Sequence, residues 1–386
     1  MRIAVLSAAN VDDQTAWSGT YYHITQALQQ YVGEVTKLGP VDNSVLRIIM
    51  RILRLFSQII PGVRLWALHS IVLSRYYARV FAKRLRSLDT DLIVAPSGSA
   101  EIAFLHTDIP IVYYSDTTFE LLCDYYPGEW SELSSRARYE GNLLEKKAIK
   151  NATVNLFSSQ WAYDSALNYY GADPAATFVL TFGANIDVPP TDAVFETKSD
   201  SNNKSCTLLF ISKEWKRKGG PKAIETLNEL IESGYDAKLI VCGCQVPETF
   251  LQRNVVNITN LDKNDPVEYE RLHSLFMRAH FLLLPTEADC SPIVISEASA
   301  YATPTLAIDT GGTSSSIESG INVYLLPKGA GGKEFAEIIV KSFFDEPVYL
   351  QLAHSTRNHY DTSLSWAAWA VRFKEILREV LKGAPD

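Results

Sequence analysis

The sequence predicts an α/β protein made of two doubly wound, Rossmann-like domains. Three observations lead there. Short β-branched or apolar runs alternate with longer helical patterns from Ile3 onward, as in parallel sheets covered by helices. A chain of 386 residues, 47% hydrophobic and 21% charged, is long enough for a core in each of two domains. Near the middle, Val188 to Ser205 interrupts the alternation with two prolines followed by Asp, Ser, Asn and Lys, the composition of a linker. The expected first domain is therefore 1–190, with the second beginning at 191.

In the first half the expected strands are Ile3 to Ser7, Val35 to Leu38, Leu92 to Ala95, Ile111 to Tyr114 and Val154 to Ser158. The clearest helix runs from about Glu132 to Lys150. In the second half Thr207 to Ser212, Lys238 to Cys242, Phe281 to Leu284, Thr305 to Ile308 and Tyr324 to Leu326 repeat the strand pattern, with helices between them. No short internal repeat, low-complexity tract or coiled-coil heptad is visible.

Composition removes several function classes. With 36 Lys and Arg against 44 Asp and Glu, the net charge of -8 leaves no broad basic footprint for nucleic acid. Five cysteines lack the paired spacing of a zinc site or a disulfide framework, which fits a reducing cytoplasm. Asp12 and Asp13 follow the first apolar run too soon for a signal peptide, and charges interrupt every apolar stretch before it could span a bilayer. A cytoplasmic protein is expected.

In open α/β sheets ligands bind outside the carboxyl ends of the strands, so the loops there carry the chemistry. After the first strand comes Ala16-Trp17-Ser18-Gly19-Thr20 and then a helical run. Ser18 or Thr20 can cap that helix, and Gly19 lets backbone N–H groups approach an anion or hydroxyl; an ordinary capped turn has the same residues. No G-x-G-x-x-G is present, so a nicotinamide or flavin dehydrogenase loses its main support. In the second half, Ser212 to Gly220 places Lys213, Lys216, Arg217 and Lys218 at one strand end before a glycine-opened helix. That is either a solvated surface or a phosphate clamp, and its position favours the clamp. The third loop, Leu284 to Ala298, contains Asp289, then Cys290-Ser291-Pro292, then Glu297. Ser291 and Pro292 read as the N-cap and first residue of a helix, leaving the amides of Ile293 and Val294 facing the site. Asp289 and Glu297 suit vicinal hydroxyls of a sugar or ribose; as metal ligands they lack a third partner nearby in sequence.

The run Phe210 to Gly220, Asp289, Glu297 eight positions later, and Ala307-Ile308-Asp309-Thr310-Gly311-Gly312 together resemble family 4 of the retaining glycosyltransferases, which have the GT-B fold. The resemblance covers nearly the whole chain. It extends to Ser18-Gly19-Thr20 and to Phe182-Gly183-Ala184-Asn185-Ile186-Asp187, and is weakest between Asp42 and Ser87. It implies two Rossmann-like domains facing across a cleft: 1–190 on the acceptor side, 191–364 binding a nucleotide sugar, and 365–386 a terminal helix starting at Ser365-Trp366 and crossing back to the first domain. It further implies that Lys218 binds the donor diphosphate and Glu297 the ribose hydroxyls. Asp289 stands near the transferred sugar, where Glu is usual. Lys213 stands where Arg is usual, and Asp116 where many relatives carry His. Gly19, Lys213, Lys218, Glu297 and the segment Cys290, Ser291, Pro292, Ile293, Val294 form the expected donor site, with Lys218, Asp289, Glu297 and Asp116 as the catalytic set.

The resemblance therefore implies a retaining transfer of sugar from a nucleoside diphosphate to an acceptor hydroxyl, in glycan or glycolipid biosynthesis, with no cofactor and no metal. A nucleotide-sugar epimerase of the same fold, or a non-catalytic sugar-binding subunit, are the alternatives. Other residues read more plainly: His106 as a surface residue, Cys242 and Cys244 as core and filler at a strand end, and Tyr21, Tyr22, Trp161 and Trp366 as core or interface aromatics that could also stack on sugars. One segment stands apart. Ser44 to Leu88 carries Arg47, Arg51, Arg54, Arg64, Arg75, Arg79, Lys83, Arg84 and Arg86 and no acid. Helical spacing of these cations beside Ile48, Ile49, Ile52, Leu53, Phe56 and Ile59 fits two core helices with solvated faces, or a surface docking on anionic lipid near a lipid-linked or envelope glycan acceptor.

Overall fold

The computed structural model describes residues 1–41, 52, 55, 67–126, 130–187, 189–198 and 205–381. Contacts divide the chain into two compact units, Met1–Thr181 with Trp369–Asp386, and Phe182–Ala368.

The first unit contains, in order, β1 (Arg2–Val5), α1 (Thr20–Tyr31), β2 (Glu34–Lys37), α2 (Ile71–Leu85), β3 (Leu92–Pro96), α3 (Ser99–Ile102), β4 (Ile111–Ser115), α4 (Phe119–Tyr125), α5 (Ser135–Asn151), β5 (Val154–Phe157), α6 (Gln160–Tyr170) and β6 (Thr177–Val179). Its six strands are all parallel, in the order β2-β1-β3-β4-β5-β6. The central strands are fully buried, as apolar runs without alternation require when helices cover both faces. β6, short and partly exposed at the sheet edge, escapes sequence pattern reading.

The second unit contains α7 (Ala193–Lys198), β7 (Cys206–Ile211), α8 (Gly220–Glu232), β8 (Ala237–Cys242), β9 (Val255–Ile258), α9 (Pro266–Arg278), β10 (Phe281–Leu284), α10 (Ile293–Ala300), β11 (Thr305–Ile308), β12 (Val323–Leu326), α11 (Gly332–Phe343) and α12 (Glu346–His359). The strand order is β12-β11-β10-β7-β8-β9, again all parallel. Its core is built on Leu208, Phe210, Leu239, Val241, Phe281 and Leu283, whose side chains meet those of α8 and α11.

Part of the stretch with linker composition is ordered helix. In α7, Val194 is buried, and the Lys198 ammonium donates to the carbonyls of Phe276 (3.2 Å), Met277 (3.3 Å) and Ala279 and to Thr303 Oγ1 (2.9 Å). A cation on the last carbonyls of α9 satisfies groups that the helix itself leaves unpaired. The terminal helix α13 (Trp366–Val380) starts where the sequence places it, with Ser365 Oγ accepting from the Ala368 amide at 3.2 Å. Beyond its first turn it belongs to the first unit, where Trp369 donates through Nε1 to the Tyr114 hydroxyl (3.0 Å) and stacks on that ring.

Of the basic segment, α2 is described. It buries Leu73, Tyr77, Phe81 and Leu85 and exposes Arg75, Arg79 and Lys83 along one stripe, continued by Arg86; Arg84 instead donates to the carbonyls of Leu38 and Pro40. Arg47, Arg51, Arg54, Arg64 and the apolar positions Ile48, Ile49, Leu53, Phe56 and Ile59 lie outside the described residues. Among the described residues no helix is long and apolar enough to cross a membrane.

Candidate functional site

The second sheet places a switch point between β7 and β10. From β7 the chain moves outward through β8 and β9, then returns at β10 to the other side of β7; the strand ends at such a point are where open α/β sheets bind their ligands. The loops after β7 and β10 carry Lys218 and Asp289. They are locked to each other: the Glu287 amide donates to Arg217 O (2.9 Å), and Arg217 Nη1 donates to Ala288 O (2.5 Å). Gly219 has φ +83°, and a Cβ there would lie 2.0 Å from Pro285 O, so only glycine lets the backbones meet. The run Thr310 to Gly312 anchors the second loop from below, through Thr310 Oγ1 to Glu287 O (3.1 Å) and the Gly312 amide to Asp289 O (3.0 Å).

This lattice brings the Lys218 ammonium onto the Asp289 carboxylate, both mostly enclosed at 17% and 9% side-chain exposure. Glu297, in the second turn of α10, holds a second ion pair, with Lys263 at 2.7 Å. One lysine–carboxylate pair thus joins the loops after β7 and β10, and a second joins the segment after β9 to helix α10. The four cations of the basic loop do not converge on the switch point together. Arg217 donates to Glu214 and to the Ala288 carbonyl, Lys213 and Lys216 are exposed, and Lys218 pairs with Asp289.

The start of α10 differs from the sequence reading. The helix begins at Ile293 with Pro292 as its cap and no side-chain cap bond, so Ser291 is not the N-cap. The Ile293 amide donates to Ser291 O at 3.0 Å rather than facing the site unpaired. Proline at the cap removes a donor, and the chain closes a tight turn there instead. Cys290 is buried in the loop before it.

Lys263 was missed by sequence reasoning because it follows β9, a half-exposed edge strand whose run Val255-Val256-Asn257-Ile258 offers only a weak apolar signal. Among the described residues no group of three or more His, Cys, Asp or Glu side chains could hold a metal ion.

In the first unit Asp116 follows β4 and accepts from Trp17 Nε1 at 3.1 Å. Trp17 and Ser18 have φ of 48° and 58°, and Gly19 is the N-cap of α1 at φ 89°. Gly19 is therefore a conformational necessity at this turn. His106 is exposed, and Cys242 and Cys244 are both buried. Trp366 packs on Gly183, where a Cβ would lie 2.6 Å from the indole, and Trp161 lies beside Tyr125 with ring centroids 4.7 Å apart.

Residues 205–344 match the family described as glycosyl transferases group 1. The protein is a glycosyltransferase. The glycosyltransferase is 24% identical over 307 residues to D-inositol 3-phosphate glycosyltransferase of Corynebacterium efficiens, covering 75% of this chain and 70% of that one. Among solved structures it is similar to sucrose-phosphate synthase from Thermosynechococcus elongatus, with a TM-score of 0.66, 14% identity and full coverage of both chains (100% each). It is also similar to Anabaena HepE in complex with UDP and glucose, with a TM-score of 0.61 and 15% identity over 98% of this chain and 99% of that one. The two parallel six-stranded sheets with their helices are the two Rossmann-like domains of a GT-B fold.

Proposed function

We propose that the enzyme is a retaining glycosyltransferase that moves a sugar from a nucleoside diphosphate donor to an acceptor hydroxyl, without a metal, in glycan or glycolipid biosynthesis. The observation that carries this reading is the pair of lysine–carboxylate contacts, Lys218–Asp289 and Lys263–Glu297, at the switch point of the second sheet. A donor diphosphate competes with Asp289 for the Lys218 ammonium. Asp289, released from that contact, then accepts hydroxyls of the transferred sugar, and Glu297, oriented by Lys263, accepts the ribose hydroxyls. As the glycosidic bond breaks, the leaving diphosphate gains charge, so Lys218 and the exposed Lys213 stabilise the transition state more than the ground state. Retention follows a front-face course in which the acceptor enters beside the departing phosphate, with Asp116 on the acceptor side; no protein nucleophile is required. The presence of UDP and glucose in the HepE structure supports a nucleotide-sugar donor.

Thermal-shift screening against nucleotide sugars tests the donor, since a ligand at 100 times its dissociation constant adds about 2.7 kcal/mol to stability. Stabilisation by one nucleotide sugar, followed by acceptor-dependent release of the nucleoside diphosphate with retained anomeric configuration, is the expected result. A changed sugar released without acceptor would replace transfer by epimerisation.

A cytoplasmic location at the inner membrane face is part of the same proposal, through the basic segment 44–88. The exposed stripe Arg75, Arg79, Lys83, Arg86 in an acidic protein supports it, at about 1 kcal/mol per well-placed cation on anionic lipid. Co-sedimentation with anionic but not neutral vesicles, weakened by salt, is expected; absence from both pellets at low salt would leave the stripe as a solvated helix face.

A further inference from the structure

The first sheet has its own switch point, between β1 and β3, since the chain passes from β1 outward to β2 and returns at β3 on the other side. What collects there is unlike the lysine-paired site of the second sheet. Glu101, just after β3, accepts from the Ala8 amide after β1 at 3.2 Å. Tyr21, in the first turn of α1, stands in the field of both Glu101 and Asp116, is hydrogen-bonded to Ser97, and has its ring 5.0 Å from that of Trp17. Trp17, Ser18 and Ser97 are three of the four non-glycine residues with left-handed backbone among the described residues, the fourth being Ala302. Such strain persists only where the surroundings over-determine it, and it collects where a binding surface needs a fixed shape.

Glu101 decides the chemistry of this edge. Among the described residues it has no Lys, Arg or His counter-ion, and burial pushes its carboxyl up to about 7. Above about pH 7 the carboxylate prevails; it accepts hydrogen bonds from hydroxyls and repels a phosphate brought beside it. Trp17 and Tyr21 add ring faces for the apolar side of a polyol.

We propose that Glu101, Tyr21, Ser97 and Trp17 form the acceptor subsite and that it takes a neutral polyhydroxyl compound, discriminating against a phosphorylated one. The proposal rests on the transfer reading above. It separates this enzyme from the relatives named for D-inositol 3-phosphate, an anion.

The test uses paired acceptors with the nucleotide sugar selected by the donor screen: myo-inositol against D-inositol 3-phosphate, glycerol against its monophosphate, and glucose against its phosphate monoesters. kcat/KM is measured for the wild type, Glu101→Gln and Glu101→Lys, with donor binding measured in parallel. The neutral member of a pair is expected to be preferred by about tenfold or more, because like charges in a desolvated site discriminate strongly. Glu101→Lys should move the within-pair ratio toward the phosphorylated member by a similar factor. Glu101→Gln, which keeps an oxygen for the Ala8 amide and so guards against a folding artefact, should reduce the discrimination. Preference for the phosphorylated member, a ratio unmoved by both variants, or donor turnover with no neutral member glycosylated would overturn the proposal. Absence of any nucleotide-sugar binding would instead overturn the donor reading, which the parallel titration reports separately.

Discussion

The Lys263–Glu297 pair gives the site a test in which stability and ligand binding move differently. The two side chains are 2.7 Å apart, Glu297 at 7% exposure and Lys263 at 20%. Glu297→Gln keeps the shape and removes the charge of a charge-assisted hydrogen bond, about 1.5–3 kcal/mol. Because part of Lys263 remains open to water, its ammonium can turn outward, and the cost should fall near the low end, about 1.5 kcal/mol. Lys263→Met strands a nearly buried carboxylate instead. Breaking a buried pair from that side costs about 3–5 kcal/mol in full burial, and roughly 2–4 kcal/mol is expected here. The double variant should recover about 1–2 kcal/mol relative to the sum of the singles, as directly paired groups do. Urea denaturation measures the cycle, and calorimetric titration with the donor's nucleoside diphosphate measures binding. Donor affinity should fall roughly ten- to hundredfold in Glu297→Gln, the variant that removes the charge proposed to hold the ribose hydroxyls. Additive stabilities within about 0.5 kcal/mol, together with unchanged nucleotide affinity in Glu297→Gln, would refute both the pair and the ribose-binding role.

Other expectations follow from the same geometry. Lys218→Ala should lower turnover by on the order of a hundredfold or more, whereas Lys216→Ala, at an exposed position, should leave it nearly unchanged; equal effects in steady-state assays would make the loop a solvated surface. Activity should survive EDTA under the proposal that lysines rather than a divalent ion neutralise the diphosphate; loss on chelation restored by manganese or magnesium would contradict it. Glu145 is buried, accepts from the Tyr113 hydroxyl at 2.8 Å, and has its carboxyl raised from 4.5 to about 7 by burial. A raised carboxyl stabilises the fold fully below the unfolded value and loses that contribution as pH rises through about 7. Glu145→Gln should therefore gain on the wild type by roughly 1–3 kcal/mol between about pH 4.5 and about pH 8 in urea melts, and parallel curves would exclude Glu145 as the titrating group.

The sequence by itself determined what is local. Phe281–Leu284 and Thr305–Ile308 fall where their apolar runs place them, and α13 begins at Trp366 behind its Ser365 cap. An apolar run bounded by turn residues specifies a buried parallel strand without reference to its neighbours. The basic loop, Asp289 and Glu297 were legible for the same reason, since each stands at a strand end or in the helix that follows. β6 and β9 were not: β6 has only three residues, and β9 is a four-residue run broken by Asn257. Lys263 went unread with β9. Whether Arg217 would face a ligand or brace the Ala288 carbonyl, and whether Ser291 or Pro292 would cap α10, depended on how two loops far apart in sequence pack. The decisive contacts join residues 71 positions apart at Lys218–Asp289, 34 at Lys263–Glu297 and 93 at Ala8–Glu101. Strand order sets those meetings. A one-dimensional pattern records which face of an element is buried, but the switch points between β7 and β10 and between β1 and β3 exist only once the sheets have formed.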